Sequence, residues 1–329
     1  MTSIDRSDQT DQTDPTGPTG PAGPAQGKPV LQEDIEQLSD PSGAATRAQV
    51  RREQVRLLAK SPGFILGMVV LLFWVVAAVA PDLVTSRTPD ETVRDAEGLA
   101  VVSSGPSGEA WFGTDRLGRD VYTRVIHGAR PIMVAAPLAA AIAALVGTFL
   151  GLITGYARGW LDEIIGRIVE ALMSIPVILL AIVIVFTFGR TTPIIIATVA
   201  VLFIPPVTRT VRAATLAEAE LDYVTSAQMR GESSAFIVMR EILPNVVGVI
   251  VVELTVRLGY AVFTLATLAF LSITANNLTT ADWGVDVSQN YSEINSSVWW
   301  PTIFPAMAIA SLVIAVNLVA DSVEKATSS

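Results

Sequence analysis

The chain has 329 residues, is 51% hydrophobic and 16% charged, and carries a formal net charge of −9. With no cysteine and one histidine, His127, it excludes disulfides, thiolate metal sites and a multi-histidine zinc centre. No basic patch with interleaved aromatics is present, which excludes a nucleic-acid partner; the apolar residues instead gather into uncharged runs of about 20, the length that crosses a bilayer core.

Residues 1–44 are rich in Asp, Thr, Pro, Gly and Gln and include the run PTGPTGPAGPAQGKP. Such a segment cannot bury a core, and it is predicted to be a disordered cytoplasmic tail. Its few Gly-x-y triplets from Gly17 are too short for a collagen helix. The polar start, with its first hydrophobic run beyond residue 60, predicts no secretory leader. Residues 45–61 read as a basic amphipathic helix, with Arg47, Arg51, Arg52, Arg56 and Lys60 beside Val50, Val55, Leu57 and Leu58. It is expected to lie in the inner membrane interface.

Residues 62–130 then supply a first transmembrane helix and an external loop, and residues 131–329 a membrane core. The expected spans are 62–84, 131–156, 162–188, 192–212, 244–273 and 299–320, an all-α polytopic membrane protein of six transmembrane helices. The five basic residues before the first span, and Arg209, Arg212, Arg230 and Arg240 around residues 213–243, place both termini and that loop in the cytoplasm. The segment from Thr274 to Val298 has no basic residue, as an outer loop should. The loop from Thr85 to Arg130 runs against this trend with Arg87, Arg94, Arg116, Arg119, Arg124 and Arg130.

Gly147, Gly151 and Gly155 form a small-residue stripe, extended backward by Ala143, that lets another helix approach closely. It serves packing inside the chain or a contact with another subunit. Pro137, Pro176, Pro205 and Pro206 are expected to kink their spans.

The longest predicted inner loop, LAEAELDYVTSAQMRGESSAFIVMREILPN, reads as two short polar helices pinched at Gly231. Asp222 to Arg230 forms the first, Gly231 takes the left-handed position that ends it, and Ser233 or Ser234 caps the second. Pro244 is expected to end the second helix and start the fifth span. Leu216, Ala219, Tyr223 and Ala227 fall on one helical face, suited to a groove on a soluble partner.

Within the fifth span, Glu253 and Arg257 stand four apart, about 14 and 20 Å beyond Pro244. They line a translocation path or form a buried structural pair. Arg167 and Glu170 read as a pair near the inner end of the third span, and Asn317 as interhelical glue. In the outer block, Asp115–Arg119 and Asp120–Arg124 are i, i+4 pairs, Thr114 or Asp120 can cap a helix, and His127 is a polar contact.

The elbow resembles the coupling segment (the EAA loop) of bacterial ABC-importer permeases, with Thr225, Ser226 and Ala227, then Gly231, then Leu243 and Pro244. The block WFGTDRLGRDVYTRVIHGARP resembles the G-T-D-x-x-G-R-D block of the C-type permease in the dipeptide, oligopeptide and nickel branch. RTVRAATLAEAELDYVTSAQMRG, REILPN and WWPTIFPAMAIASLVIAVNLVADSVEKA resemble the same branch. Departures include Glu241 for the branch's His, Ser272 for a Gly after the fifth span, and the absence of a glutamate near Leu265.

The resemblance implies a type I ABC-importer permease (MetI-like) fold in the bacterial cytoplasmic membrane. It implies ATPase coupling through Asp222, Tyr223, Val224, Thr225, Ser226, Ala227, Gly231, Arg240 and Pro244. Glu253 and Arg257 would line the path; Gly113, Thr114, Asp115, Gly118, Arg119 and Asp120 would brace the outer mouth or the partner permease; Gly147, Gly151, Gly155 and Asn317 would pack helices. The implied partners are a B-type permease, ABC ATPase subunits and an extracytoplasmic solute-binding protein. No phosphate loop or other nucleotide signature occurs, so ATP and Mg would sit on the ATPases, and this chain would hold no cofactor and do no catalysis. The expected cargo is di- or oligopeptide, with nickel or another small solute as the alternative. The rival class is an ion-coupled carrier using Glu253 with Arg257, or Glu170.

Overall fold

The computed structural model describes residues 61–274 and 280–327. The predicted tail and the basic helix through residue 60 fall outside them. Every regular element among the described residues is helical, with three isolated bridges in the loop before the second long helix.

Helix α1 (Pro62–Val79) begins with Pro62 in its first turn, where a missing N–H costs nothing, after the N-cap Ser61. It ends five residues before the expected boundary, because Pro81 steers Ala80 out of helical dihedrals and starts a one-turn 3-10 segment. Helices α2 (Val121–His127) and α3 (Ala129–Ala157) run on as one stretch of 37 residues. This starts ten residues ahead of the expected second span. Gly128 keeps a right-handed conformation (φ −66°), and Pro131 falls in the first turn of α3, where the N–H has little to bond to.

The expected single third span is replaced by two helices, α4 (Trp160–Ser174) and α5 (Val177–Phe188), bent by 96°. Pro176 has no N–H to continue the ladder and forces Ile175 into an extended conformation. With 12 residues, or about 18 Å, α5 is too short to cross alone. The described residues therefore contain five helices of spanning length, and six spans if the bent pair counts as one.

Helix α6 (Thr192–Ala219) carries Pro205 and Pro206 inside and continues two turns beyond the expected end at 212. Helix α7 (Asp222–Met229) follows. A single turn at Ser234–Phe236 and a π-register stretch, Ile237–Ile242, lead without a break into α8 (Leu243–Phe270). Pro244 thus ends nothing. Just ahead of it the Leu243 N–H reaches back five residues to the Val238 carbonyl, and this wider turn gives a proline room to enter a helix. Helices α9 (Trp283–Asn290) and α10 (Trp300–Thr327) complete the chain.

The tightest packing joins α3 to α6. A Cβ on Gly147, Gly151 or Gly155 would come within 2.7, 2.8 and 2.6 Å of the Cβ atoms of Val207, Val211 and Thr215. The glycine stripe is therefore spent on a helix of the same chain. A large buried cluster runs from Trp74 and Ile126 to Trp283 and Leu312. A smaller one, built from Leu152, Val207, Val211, Val224, Ala227, Ile237, Ile242 and Val246, closes the far end of α3 and α6.

Candidate functional site

The elbow is assembled on that smaller cluster. Val224 and Ala227 are fully buried in it, so α7 turns its apolar face toward its own chain. The expected docking face of Leu216, Ala219, Tyr223 and Ala227 does not exist as such. The first two belong to α6 and the last two to α7, across the turn at Glu220 and Leu221. The elbow's outward surface instead carries the exposed apolar side chains Leu221, Met229, Phe236 and Met239, which periodicity alone did not single out. Among them stand the exposed polar residues Asp222, Thr225 and Arg240, with Ser226 half-buried.

Gly231 takes φ +76° with nothing within 4 Å of where a Cβ would sit, so the position needs glycine for its dihedrals and not for space. The Gly231 N–H donates to the Gln228 carbonyl and the Glu232 N–H to the Ala227 carbonyl, a pattern that satisfies the last carbonyls of α7. Ser233 Oγ then accepts from the Phe236 N–H at 3.3 Å to start the next turn.

Tyr223 ties three helices together. Its hydroxyl donates to Glu218 Oε2 at 2.6 Å on α6 and accepts from Asn245 Nδ2 at 3.0 Å on α8. Burial, and then the bond to Glu218, raise the phenol above its ordinary pKa.

Glu253 and Arg257 form a bond of 2.9 Å with both side chains largely buried. The Arg257 guanidinium also lies 5.4 Å from the centre of the Tyr260 ring. Arg257 and Tyr260 line a cleft of about 380 Å³ with Met173, Phe203, Pro205 and Pro206. The cleft lies at the α4–α5 bend, and of the pair it is Arg257 that lines it. Nearer the elbow, a cavity of about 810 Å³ is lined by Asp162, Glu163, Arg167, Glu170, Arg209 and Arg212. Arg212 forks onto Asp162 at 2.5 and 2.7 Å, a partnership across 50 residues, while Arg167 and Glu170 approach only to 3.8 Å and stay exposed. Asn317 sits against Gly259, where a Cβ would lie 2.9 Å from its Oδ1, and makes no hydrogen bond among the described residues. It meets α8 there while otherwise exposed, a contact between helices made without a hydrogen bond.

At the other end, the block is a tight turn, not a helix: Thr114 and Asp120 bridge, with Gly113 at φ +78° and Gly118 at φ +73°. Asp115 Oδ1 accepts the N–H groups of Leu117 and Arg119, and its Oδ2 accepts Arg119 Nε at 2.7 Å. Asp120 caps α2 by accepting from the Thr123 N–H and hydroxyl.

The expected Asp120–Arg124 pair is not formed. Arg124 points to Asp286 of α9, with Nε and Nη2 at 2.9 and 2.5 Å from Oδ1, and donates a further bond to the Pro89 carbonyl. Arg124, in the last turn of α2, takes its acceptor across the fold instead of one turn back, where Asp120 Oδ2 caps the helix. Asp115, Arg119, Arg124 and Asp286 are all buried. His127 is half-buried, and its Nε2 has no hydrogen-bond partner among the described residues. Trp283 Nε1 donates to the Val125 carbonyl and Trp300 Nε1 to the Thr114 carbonyl, closing the block from two sides. Asp286 and Trp283 escaped the sequence reading. The signal was there: acids in a segment without any basic residue must find their cations elsewhere.

These two poles, joined by helices long enough to cross a bilayer, match known proteins. Residues 147–329 match the family described as binding-protein-dependent transport system inner membrane component. The chain belongs to that family. It is a multi-pass permease subunit by that membership, with the all-helical, multi-span architecture described above. A dipeptide transport system permease protein of Alkalihalophilus pseudofirmus is 32% identical over 286 residues, 87% of this chain and 92% of its own. A glutathione transport system permease protein of Shigella flexneri serotype 5b is 40% identical over 227 residues, 68% of this chain and 74% of its own. A Brucella suis protein is 35% identical over 267 residues, 81% of this chain and 87% of its own.

Proposed function

We propose that this chain is the C-type membrane subunit of an ATP-driven importer of peptides, working with a B-type permease, ABC ATPases and an external solute-binding protein. The observation that carries this reading is the elbow. Its inner face is locked to α6 and α8 by buried Val224 and Ala227 and by the Tyr223 bonds, while its outer face offers Leu221, Met229, Phe236 and Met239. A push on that outer face is carried to the spans, because a packed apolar cluster has low compressibility.

In this reading both termini and the elbow are cytoplasmic, and the chain itself does no chemistry. ATP and Mg bind the ATPase subunits. ATP-driven closure of those subunits moves the elbow as a rigid body and opens the spans outward, and hydrolysis returns them. Glu253 and Arg257 line the path at the α4–α5 bend. Glu253 is held by an arginine, which disfavours it as the free carboxyl that a proton-coupled carrier requires. Peptide is the expected cargo because relatives of 32% and 40% identity carry dipeptide and glutathione names.

The test is uptake of a radiolabelled dipeptide by vesicles holding the assembled complex. Uptake that needs internal ATP and stops with vanadate supports the reading; uptake that persists under vanadate, driven by a proton gradient, overturns it.

A further inference from the structure

A cavity of about 230 Å³ lies among the block-side ends of α3, α6, α8 and α9, away from both the elbow and the Glu253–Arg257 cleft. Its walls are mostly aliphatic: Ile132, Ile195, Leu265 and Val285. Four polar residues interrupt them, Thr192, Thr274, Thr280 and Asp282, and two of these carry acceptors without a partner among the described residues. Asp282 spends Oδ1 on capping α9, accepting from the N–H groups of Gly284 and Val285, and its Oδ2 has no hydrogen-bond partner among the described residues. Thr274 is 8% exposed, lines the same cavity, and its Oγ1 is buried without a partner among the described residues. No basic residue lines the space among the described residues, so its one charged group favours a cation over an anion.

We propose that this cavity receives an organic ammonium group, with Asp282 as its counter-ion, Thr274 Oγ1 as a second acceptor, and the aliphatic wall around its carbon stem. An ammonium carries three donors and no acceptor, which suits a site offering a carboxylate oxygen and a hydroxyl. The bound charge offsets the cost of keeping a carboxylate in an apolar pocket. The proposal rests on the peptide reading in one respect only: if peptides are the cargo, the natural ligand is the α-ammonium or lysine ammonium of a peptide at the outer mouth.

The electrostatics agree. Burial raises the Asp282 carboxyl to about 6, with Asp286 adding to the rise and Arg124 opposing it. These two charges on α9 and α2 are the ones that act on it. The site is therefore mostly ionised at pH 7.5 and mostly protonated at pH 5. Occupancy by a cation falls by about tenfold across that interval, in the direction expected for a raised carboxylate.

The experiment uses the assembled complex in nanodiscs and n-butylammonium as the probe, followed by saturation-transfer NMR and calorimetry. Saturable binding at pH 7.5 is expected, at least tenfold weaker at pH 5 and in Asp282→Asn, and severalfold weaker in Thr274→Val. Asn keeps the helix-capping oxygen, so that variant is expected to stay folded, and its melting temperature checks this. Binding that is equal in the wild type and Asp282→Asn, or absent from the folded wild-type complex, overturns the proposal. Asp282-dependent amine binding in a complex that takes up no peptide upholds the site and refutes the peptide reading alone.

Discussion

The elbow and the Thr114–Arg124 block stand at opposite ends of the same long helices and are held by different forces. At the elbow, fully buried Val207, Val224, Ala227, Ile237 and Ile242 pack without direction-dependent bonds, and the polar bonds, among them the Tyr223 network, the Ser233 cap and the Arg230–Glu232 pair, lie around that cluster. At the block, buried Asp115, Arg119, Arg124 and Asp286 meet through charge-assisted bonds, with two indole N–H groups closing the sides. Apolar contact tolerates small shifts of one helix over another, whereas a guanidinium on a carboxylate is specific in geometry. Under the proposed function the elbow is the end that moves as a unit and the block the end that stays fixed, a lever and its anchor.

The strongest way to break this contrast is at the anchor. Arg124→Ala leaves Asp286 buried without its cation, and a loss of about 3–5 kcal/mol is expected. Thermal unfolding in detergent measures it, and Arg124→Met with Asp286→Leu should recover most of the loss. At the lever, Ile242→Ala opens a cavity in the small cluster and should cost about 2–5 kcal/mol. Hydrogen exchange should then rise in α7 while the block stays protected, and a uniform rise would erase the distinction between the two ends.

Gly231→Ala imposes a left-handed conformation on a residue with a Cβ, at roughly 1–2 kcal/mol. Peptide-stimulated ATP hydrolysis should fall relative to basal hydrolysis, and Gly231→Asn should restore part of it. The smallest effect is expected for Tyr223→Phe, about 0.5–1.5 kcal/mol for the lost bonds. Its readout is a lower ratio of peptide moved to ATP hydrolysed; an unchanged ratio would leave the phenol a stability element only.

Much of this was legible before any coordinates. The apolar runs gave the helices, Gly231 marked the turn, and the spacing of Gly147, Gly151 and Gly155 marked a close helix approach. The misreadings share a cause. Helical spacing suggested Asp120–Arg124 and a continuous face from Leu216 to Ala227, but such spacing holds only inside one unbroken helix. In the first pair Asp120 is the cap ahead of α2 while Arg124 turns to Asp286, and the second was cut at Glu220 and Leu221. Pro176 and Pro244 look alike in sequence. One bends the chain by 96°, and the other enters a helix loosened by a π-register turn.

By itself the sequence determined which segments are apolar enough for lipid, where the polar elbow falls and which family the chain resembles, because composition, periodicity and motifs are local properties. The tertiary structure alone decided that the glycine stripe packs on α6, that Arg124 pairs with Asp286 and that Asp282 and Thr274 share one cavity. Those facts depend on groups brought together from distant parts of the chain, and each buried charge takes the partner that best offsets its desolvation, at whatever separation the fold allows.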